Sequence, residues 1–160
     1  MTIKLYLLRH GVAYERDEWT GDNDELRPLT DKGISAMKQE ASQLKHMKLE
    51  VDHIIASPLV RARETAKVVA AALNVKLEEN SLLKPGFDVS ALAKLLKQYD
   101  SSKRIMIVGH EPDFSRVTSG VIGGGSVEMR KGGLARIDLA QNDPPRGILV
   151  WLLTPAVLGA

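Results

Sequence analysis

The chain has 160 residues and a formal net charge of +2, from 22 Lys+Arg against 20 Asp+Glu, which is enough chain for one sizeable core and too little for two. That balance lacks the basic excess of a nucleic-acid binder, aromatics at 4% leave few surfaces on which bases could stack, and the absence of cysteine excludes a disulfide framework, a thiolate nucleophile and a Cys-ligated metal. No leader-like or membrane-length apolar run is present, so the expectation is a monomeric, cytoplasmic protein with a single domain over residues 1–160 that binds neither nucleic acid nor membrane.

The first element is an apolar run, Leu5 to Leu8, that stops abruptly at Arg9, His10 and Gly11. It reads as a buried strand delivering polar side chains to the carboxyl edge of a sheet, where open α/β folds place their ligands, with Gly11 freeing the turn. Val12 to Pro28 is polar and rich in acids (Glu15, Asp17, Glu18, Asp22, Asp24, Glu25) without any period, and reads as a long solvated loop beside that edge. Thr30 then caps a helix with Ile34, Met37, Ala41 and Leu44 on one face. His53 to Ala56 is a short strand. Ser57-Pro58 is a start signal, Ser as cap and Pro in the first turn, for a helix with Ala62, Ala66, Val69 and Leu73 at helical spacing.

Val75 to Leu77 reads as a short strand, Lys84-Pro85-Gly86 breaks the chain, and Asp88 caps a helix carrying Leu92, Leu95 and Leu96. Ile105 to His110 then repeats the opening pattern, an apolar run closed by a histidine. Pro112 opens a helix with Phe114, Val117 and Val121, which Gly123 to Gly125 stop. Leu134 to Leu139 alternates and reads as a half-buried antiparallel strand; Asn142 to Gly147 turns, and Ile148 to Leu153 returns as the last strand. Strands alternating with helices and closing in a hairpin predict an α/β fold, a three-layer α/β/α sandwich with a mixed, mostly parallel sheet.

Two strand-end histidines on one crevice, His10 and His110, point to phosphate or acyl transfer. Arg61 lies about one turn into the helix that opens at Ser57, and its side chain leans back over the helix start, where unpaired N–H groups and the dipole favour an anion. With Arg9 it supplies two guanidinium forks for one phosphoryl group. Arg63, about 200 degrees around the helix, faces solvent or an acidic neighbour. His46 and His53 are assigned to solvent. Gly123 to Gly125 lacks the GxGxxG or Walker spacing and follows a helix, so it is a stop and not a phosphate cradle. No His or carboxylate cluster has ligand spacing, so no metal and no other cofactor is expected.

LLRHG near the start, RPLTDKG from Arg27 to Gly33, SPLVRARETA from Ser57 to Ala66 and VGHEP from Val108 to Pro112 together resemble the histidine phosphatase superfamily in its phosphoglycerate mutase-like branch. Short length and the lack of a cap insertion make the chain most similar there to the small phosphohistidine phosphatases of the bacterial SixA type. The resemblance implies a metal-independent phosphatase in which His10 attacks phosphorus and is transiently phosphorylated, while Arg9, Arg61 and His110 are catalytic and hold the phosphoryl oxygens. It also implies a phosphohistidine-bearing protein as partner, such as a histidine phosphotransfer domain, in signal transduction. One departure concerns the general acid that relatives cleaving phosphoesters carry after the third strand. Here that segment reads ENSLLKPGFD; Glu78, Glu79 and Asp88 are near, but the matching position falls in Lys84-Pro85-Gly86. Because an imidazole leaves without much protonation and an alkoxide does not, phosphohistidine hydrolysis is the expectation. The alternatives are a broad phosphatase for small esters, with Glu79 or Asp88 as acid, and a non-catalytic phosphoprotein-binding module, which would have no use for the nucleophile.

Overall fold

Strand β1 (Ile3–Arg9) is apolar at both phases because both of its faces are covered. Ile3, Leu5 and Leu7 pack into one core, Tyr6 and Leu8 into the other. In the computed structural model, which describes residues 2–160, β1 lies inside a six-stranded sheet with β2 (His53–Ala56), β3 (Leu77–Glu79), β4 (Arg104–Gly109), β5 (Leu134–Asn142) and β6 (Pro145–Leu153), in the order β3-β2-β4-β1-β5-β6. Only β5 runs against the others, pairing antiparallel with both β1 and β6, so the sheet is mixed and mostly parallel as expected.

Helices α1 (Asp31–His46) and α2 (Val60–Leu73) cover one face, where Met37, Ala41, Leu44, Ala62, Ala66 and Val69 meet Ile54, Met106 and Val108. Helices α3 (Val89–Gln98) and α4 (Asp113–Ile122) cover the other, with Leu92, Leu95, Phe114, Val117 and Val121 against Ile55, Ile105 and Ile107. This is the three-layer α/β/α sandwich. The start and stop signals of three helices act as read: Thr30 Oγ1 accepts from Gly33 N–H at 2.9 Å, Asp88 Oδ1 accepts from Ala91 N–H at 2.8 Å, and Gly123 ends α4 at φ 94°.

Two boundaries move. The third strand spans Leu77–Glu79 instead of Val75 to Leu77, because Asn74 ends α2 in the left-handed conformation and Val75 N–H turns back to the Ala70 carbonyl at 3.1 Å. Pairing with β2 begins only at Leu77, opposite Ile54. The closing hairpin is also longer than the apolar residues suggest, since Asn142 pairs directly with Pro145 and leaves only Asp143-Pro144 as the turn.

Candidate active site

β1, β4 and β2 lie side by side and end together, with Arg9 in register with Gly109 and Ala56 with Val108. His10, His110 and Ser57 therefore leave the sheet from three adjacent strand ends. His10 N–H still bonds the Gly109 carbonyl at 3.0 Å and Ser57 N–H the Val108 carbonyl at 3.0 Å, which fixes these two residues to the sheet. The imidazoles of His10 and His110 are 5.5 Å apart between ring centroids. Gly109 lets the Phe114 ring pack against this strand end, because a Cβ there would lie 2.7 Å from its Cζ.

Ser57 is not the cap of α2. Its N–H extends the ladder by one residue and its Oγ meets His110 Nε2 at 2.8 Å, so the helix opens only at Val60, with Leu59 as cap residue and no side-chain cap. Arg61 thus stands in the first turn, nearer the helix end than the sequence suggests. At α4 the first turn is filled: Glu111 accepts from both the N–H and the hydroxyl of Ser115. The uncapped start of α2 keeps its dipole end available for an anion beside Arg61.

Arg61 is 4% exposed and His10 and His110 are 8% and 3% exposed, so all three side chains are largely withdrawn from solvent. Burial, with help from His110, Arg61 and Arg9, pushes the His10 imidazole down to about 3 despite the opposing bond to Gly11. Burial and then Arg61 push His110 down to about 4. Both rings are neutral at physiological pH. His10 Nδ1 lies 2.7 Å from the Gly11 carbonyl, which can only accept, so Nδ1 carries the proton and Nε2 the lone pair. A second link holds this turn to α2: Gly11 N–H donates to Thr65 Oγ1 at 3.0 Å, and that hydroxyl donates to the Arg61 carbonyl at 2.8 Å.

The acidic loop is not wholly a solvated surface. Asn23 caps a short 3-10 turn, Asp24–Leu26, which brings Asp24 onto Arg61: its carbonyl accepts from Nη1 at 3.0 Å and its Oδ2 from Nη2 at 3.3 Å. Burial opposes the charge on Asp24, but the bond from Arg27 and the charges of Arg61 and Arg16 outweigh it and hold the carboxyl below its usual range. Arg9 donates from Nη1 to the Met129 carbonyl at 2.9 Å. Its outer side borders a hollow of about 520 Å³ with Glu111, Met129, Arg130 and Lys131. A larger hollow of about 640 Å³ lies at the opposite end of the sheet, among Lys4, His53 and Arg104, away from the strand ends that carry the imidazoles.

Arg9, His10, Arg61 and His110 therefore converge as the sequence suggests, whereas the three weighed acids do not join them. Glu78 accepts from the Tyr99 hydroxyl at 2.7 Å, Glu79 pairs with Arg63 at 3.5 Å, and Asp88 is spent on capping α3. Arg63 thus has the acidic neighbour expected of it, and His46 is exposed. His53 is not a solvent residue: it is half-buried against Tyr99, 5.4 Å between rings, because β2 starts under the end of α3. Among the described residues, no group of three or more His, Asp or Glu side chains is placed to hold a metal ion.

A model of the histidine phosphatase superfamily (branch 1) matches residues 5–84. An uncharacterized protein of Picosynechococcus is 36% identical over 114 residues, covering 69% of this chain and 68% of its own. The phosphohistidine phosphatase SixA of Escherichia coli is 27% identical over the same shares of both chains. A solved structure of the protein histidine phosphatase SixA with tungstate superimposes with a TM-score of 0.85 at 24% identity, over 98% of this chain and 99% of that one.

Proposed function

The chain belongs to the histidine phosphatase superfamily, and from that premise we propose that it removes the phosphoryl group from a phosphohistidine-bearing protein through a covalent intermediate on His10. Residues 1–160 act as one domain in this reading. The partner class and the single-domain arrangement follow the similarity to SixA, whose whole length the structural likeness covers.

In the first step Nε2 of His10 forms a bond to phosphorus as the bond from phosphorus to the substrate imidazole breaks; that ring carries a proton on its other nitrogen and so leaves neutral. One imidazole replaces another, so little driving force is lost. Arg9 and Arg61 supply charge to the phosphoryl oxygens, and the start of α2 adds N–H dipoles, which is the positioning and electrostatic stabilisation that phosphoryl transfer needs. His110, fixed by Ser57, adds a neutral N–H donor to the same group. In the second step water attacks the phosphoryl group on His10. Because Nδ1–H stays bonded to the Gly11 carbonyl, the phosphorylated ring is an imidazolium. Cleavage returns neutral His10 and dihydrogen phosphate, with every proton accounted for. No step calls for a metal, since the guanidinium groups carry the compensating charge.

The observation that carries the choice of phosphohistidine is where the carboxylates go. Glu78, Glu79 and Asp88 are engaged elsewhere, Glu111 is bound to Ser115, Glu128 at the hollow beside Arg9 pairs with Arg130 at 3.6 Å, and Asp24 is kept ionised by three arginines, so none of these six stands free to protonate an alkoxide. The test is phosphate release from a phosphorylated histidine phosphotransfer domain, compared with phosphoserine and a sugar phosphate. Turnover of the first should be far faster, unchanged by a chelator and inhibited by tungstate or vanadate. Efficient hydrolysis of the esters, or activity lost to a chelator and restored by a divalent metal, would overturn it.

A further inference from the structure

The two arginines of the site are tied in the same way. Arg9 gives Nη1 to the Met129 carbonyl and Arg61 gives Nη1 to the Asp24 carbonyl, at 2.9 and 3.0 Å. In both, Nε is buried and has no partner. The edge left open on each guanidinium is therefore Nε–H with the adjoining hydrogen of Nη2, a side-on fork that suits two oxygens of one phosphoryl group.

For Arg9 the tie is only a backbone carbonyl. For Arg61 it is a whole residue. Asp24 takes Nη1 on its carbonyl and Nη2 on Oδ2, occupying the end of the guanidinium, while its Oδ1 accepts from Arg27 Nε at 2.9 Å. Arg27 in turn donates to the Tyr14 carbonyl, Arg16 approaches Oδ1 at 3.4 Å, and the next residue, Glu25, pairs with Lys84 at 3.1 Å. A carboxylate at a phosphate-binding arginine could be a competing anion that substrate expels. Here expulsion would break contacts to three arginines and move a turn anchored to its neighbours, whereas keeping Asp24 in place leaves the side-on fork free.

We propose that Asp24 is a positioning residue for phosphoryl transfer: it grips the end of Arg61 so that the Nε–Nη2 edge is presented beside His10, and Arg27 fixes Asp24 in turn. This rests on the phosphoryl-transfer reading above. It has a consequence that a merely structural residue would lack. Asp24 cancels part of the charge of Arg61, so removing it leaves the hold on a ground-state oxyanion as strong or stronger while it disorders the fork needed in the transition state. Turnover and binding then separate.

The experiment measures kcat and KM on phosphoramidate and on p-nitrophenyl phosphate, with the inhibition constant of inorganic phosphate, for the protein and for Asp24→Ala, Asp24→Asn and Arg61→Ala. Asp24→Ala lowers kcat on the order of 10²-fold, the scale of a misplaced positioning group, with KM and the phosphate inhibition constant unchanged or lower. Asp24→Asn, which keeps an acceptor for Nη2, loses less. In the Arg61→Ala background, Asp24→Ala brings no further loss of kcat, because the group it positions is gone. A kcat for Asp24→Ala within about twofold of the original, or above it, overturns the proposal, as does an equal loss with Arg61 already removed. Where Asp24→Ala does not fold, Asp24→Leu, which has no acceptor for Nη2, carries the same cycle with the same two outcomes. Lack of turnover of both substrates by the unaltered protein is a different result and counts against the phosphoryl-transfer reading itself.

Discussion

At the residue, the neutral state of the two histidines is what the surroundings decide. Free imidazole would be half protonated near pH 6.5, but burial takes His10 to about 3 and His110 to about 4. A depressed value means the lone pair on Nε2 is present until the pH falls close to it. The pH profile of kcat/KM should therefore stay flat on the acid side from pH 8 to about pH 5 and fall only below that; an acid limb centred near 6.5 would show an ordinary imidazole and contradict the burial argument. His10→Ala should remove turnover and leave the melt intact, and acid-labile label should be trapped on His10 alone. Arg61→Lys keeps charge and loses the fork, so it should cost on the order of 10² in kcat/KM, whereas Arg63→Lys, half-exposed against Glu79, should cost little. Arg9, His10, Arg61 and His110 were legible because each sits where a strand or helix ends, a place that apolar period and turn residues mark. Asp24 was not, because its approach to Arg61 depends on a turn closing over the site and not on any period. The only local sign was Asn23 before an acid, with Arg27 three residues beyond it.

At the level of elements, the site depends on how the first turn is tied to α2. Thr65 Oγ1 is the tie, accepting from Gly11 N–H and donating to the Arg61 carbonyl, and it is fully buried. Thr65→Val keeps the shape and removes the acceptor, leaving Gly11 N–H unpaired at a cost of about 1–3 kcal/mol. Urea unfolding should read that loss, and kcat should fall because Arg61 and His10 are no longer held to one another; Thr65→Ser should restore both. A valine variant as active and stable as the original would remove Thr65 from the account. The elements themselves were legible where one signal stood alone, as at Thr30, Asp88 and Gly123. Ser57 misled because it carries two uses, a helix cap and a partner for His110, and sequence cannot weigh a bond to a residue 53 positions away.

For the whole molecule, the largest liability is a carboxyl inside a core. Glu40 is fully buried on α1 with neither oxygen partnered, and burial pushes it up to about 8. Its charge hid it, since helical period from Met37 to Leu44 places position 40 beside Ala41 on the face that packs inward, where a carboxyl is not expected. Its folded value lies above the unfolded one, so the folded state binds the extra proton and stability falls as pH rises from about 4.5 to about 8. His10 and His110 work in the opposite sense below about 6.5, where the unfolded chain takes protons that the fold refuses. Glu40→Gln should therefore flatten the alkaline side of the stability curve and stabilise at pH 7.5 by a few kcal/mol, leaving the acid side unchanged; thermal melts from pH 4 to 8.5 would show a parallel curve instead if the carboxyl is not the cause. Another property belongs to the sheet. β1 pairs with β4 residue for residue, Leu5 with Ile105 and Arg9 with Gly109, so the two imidazoles are brought together only by closing a loop of a hundred residues. Such a pairing is slow to form, because the entropy of closing the loop is lost before its contacts are made. A species in which β1 and β4 are not yet paired cannot carry the chemistry, so the return of turnover during refolding reports when that pairing closes.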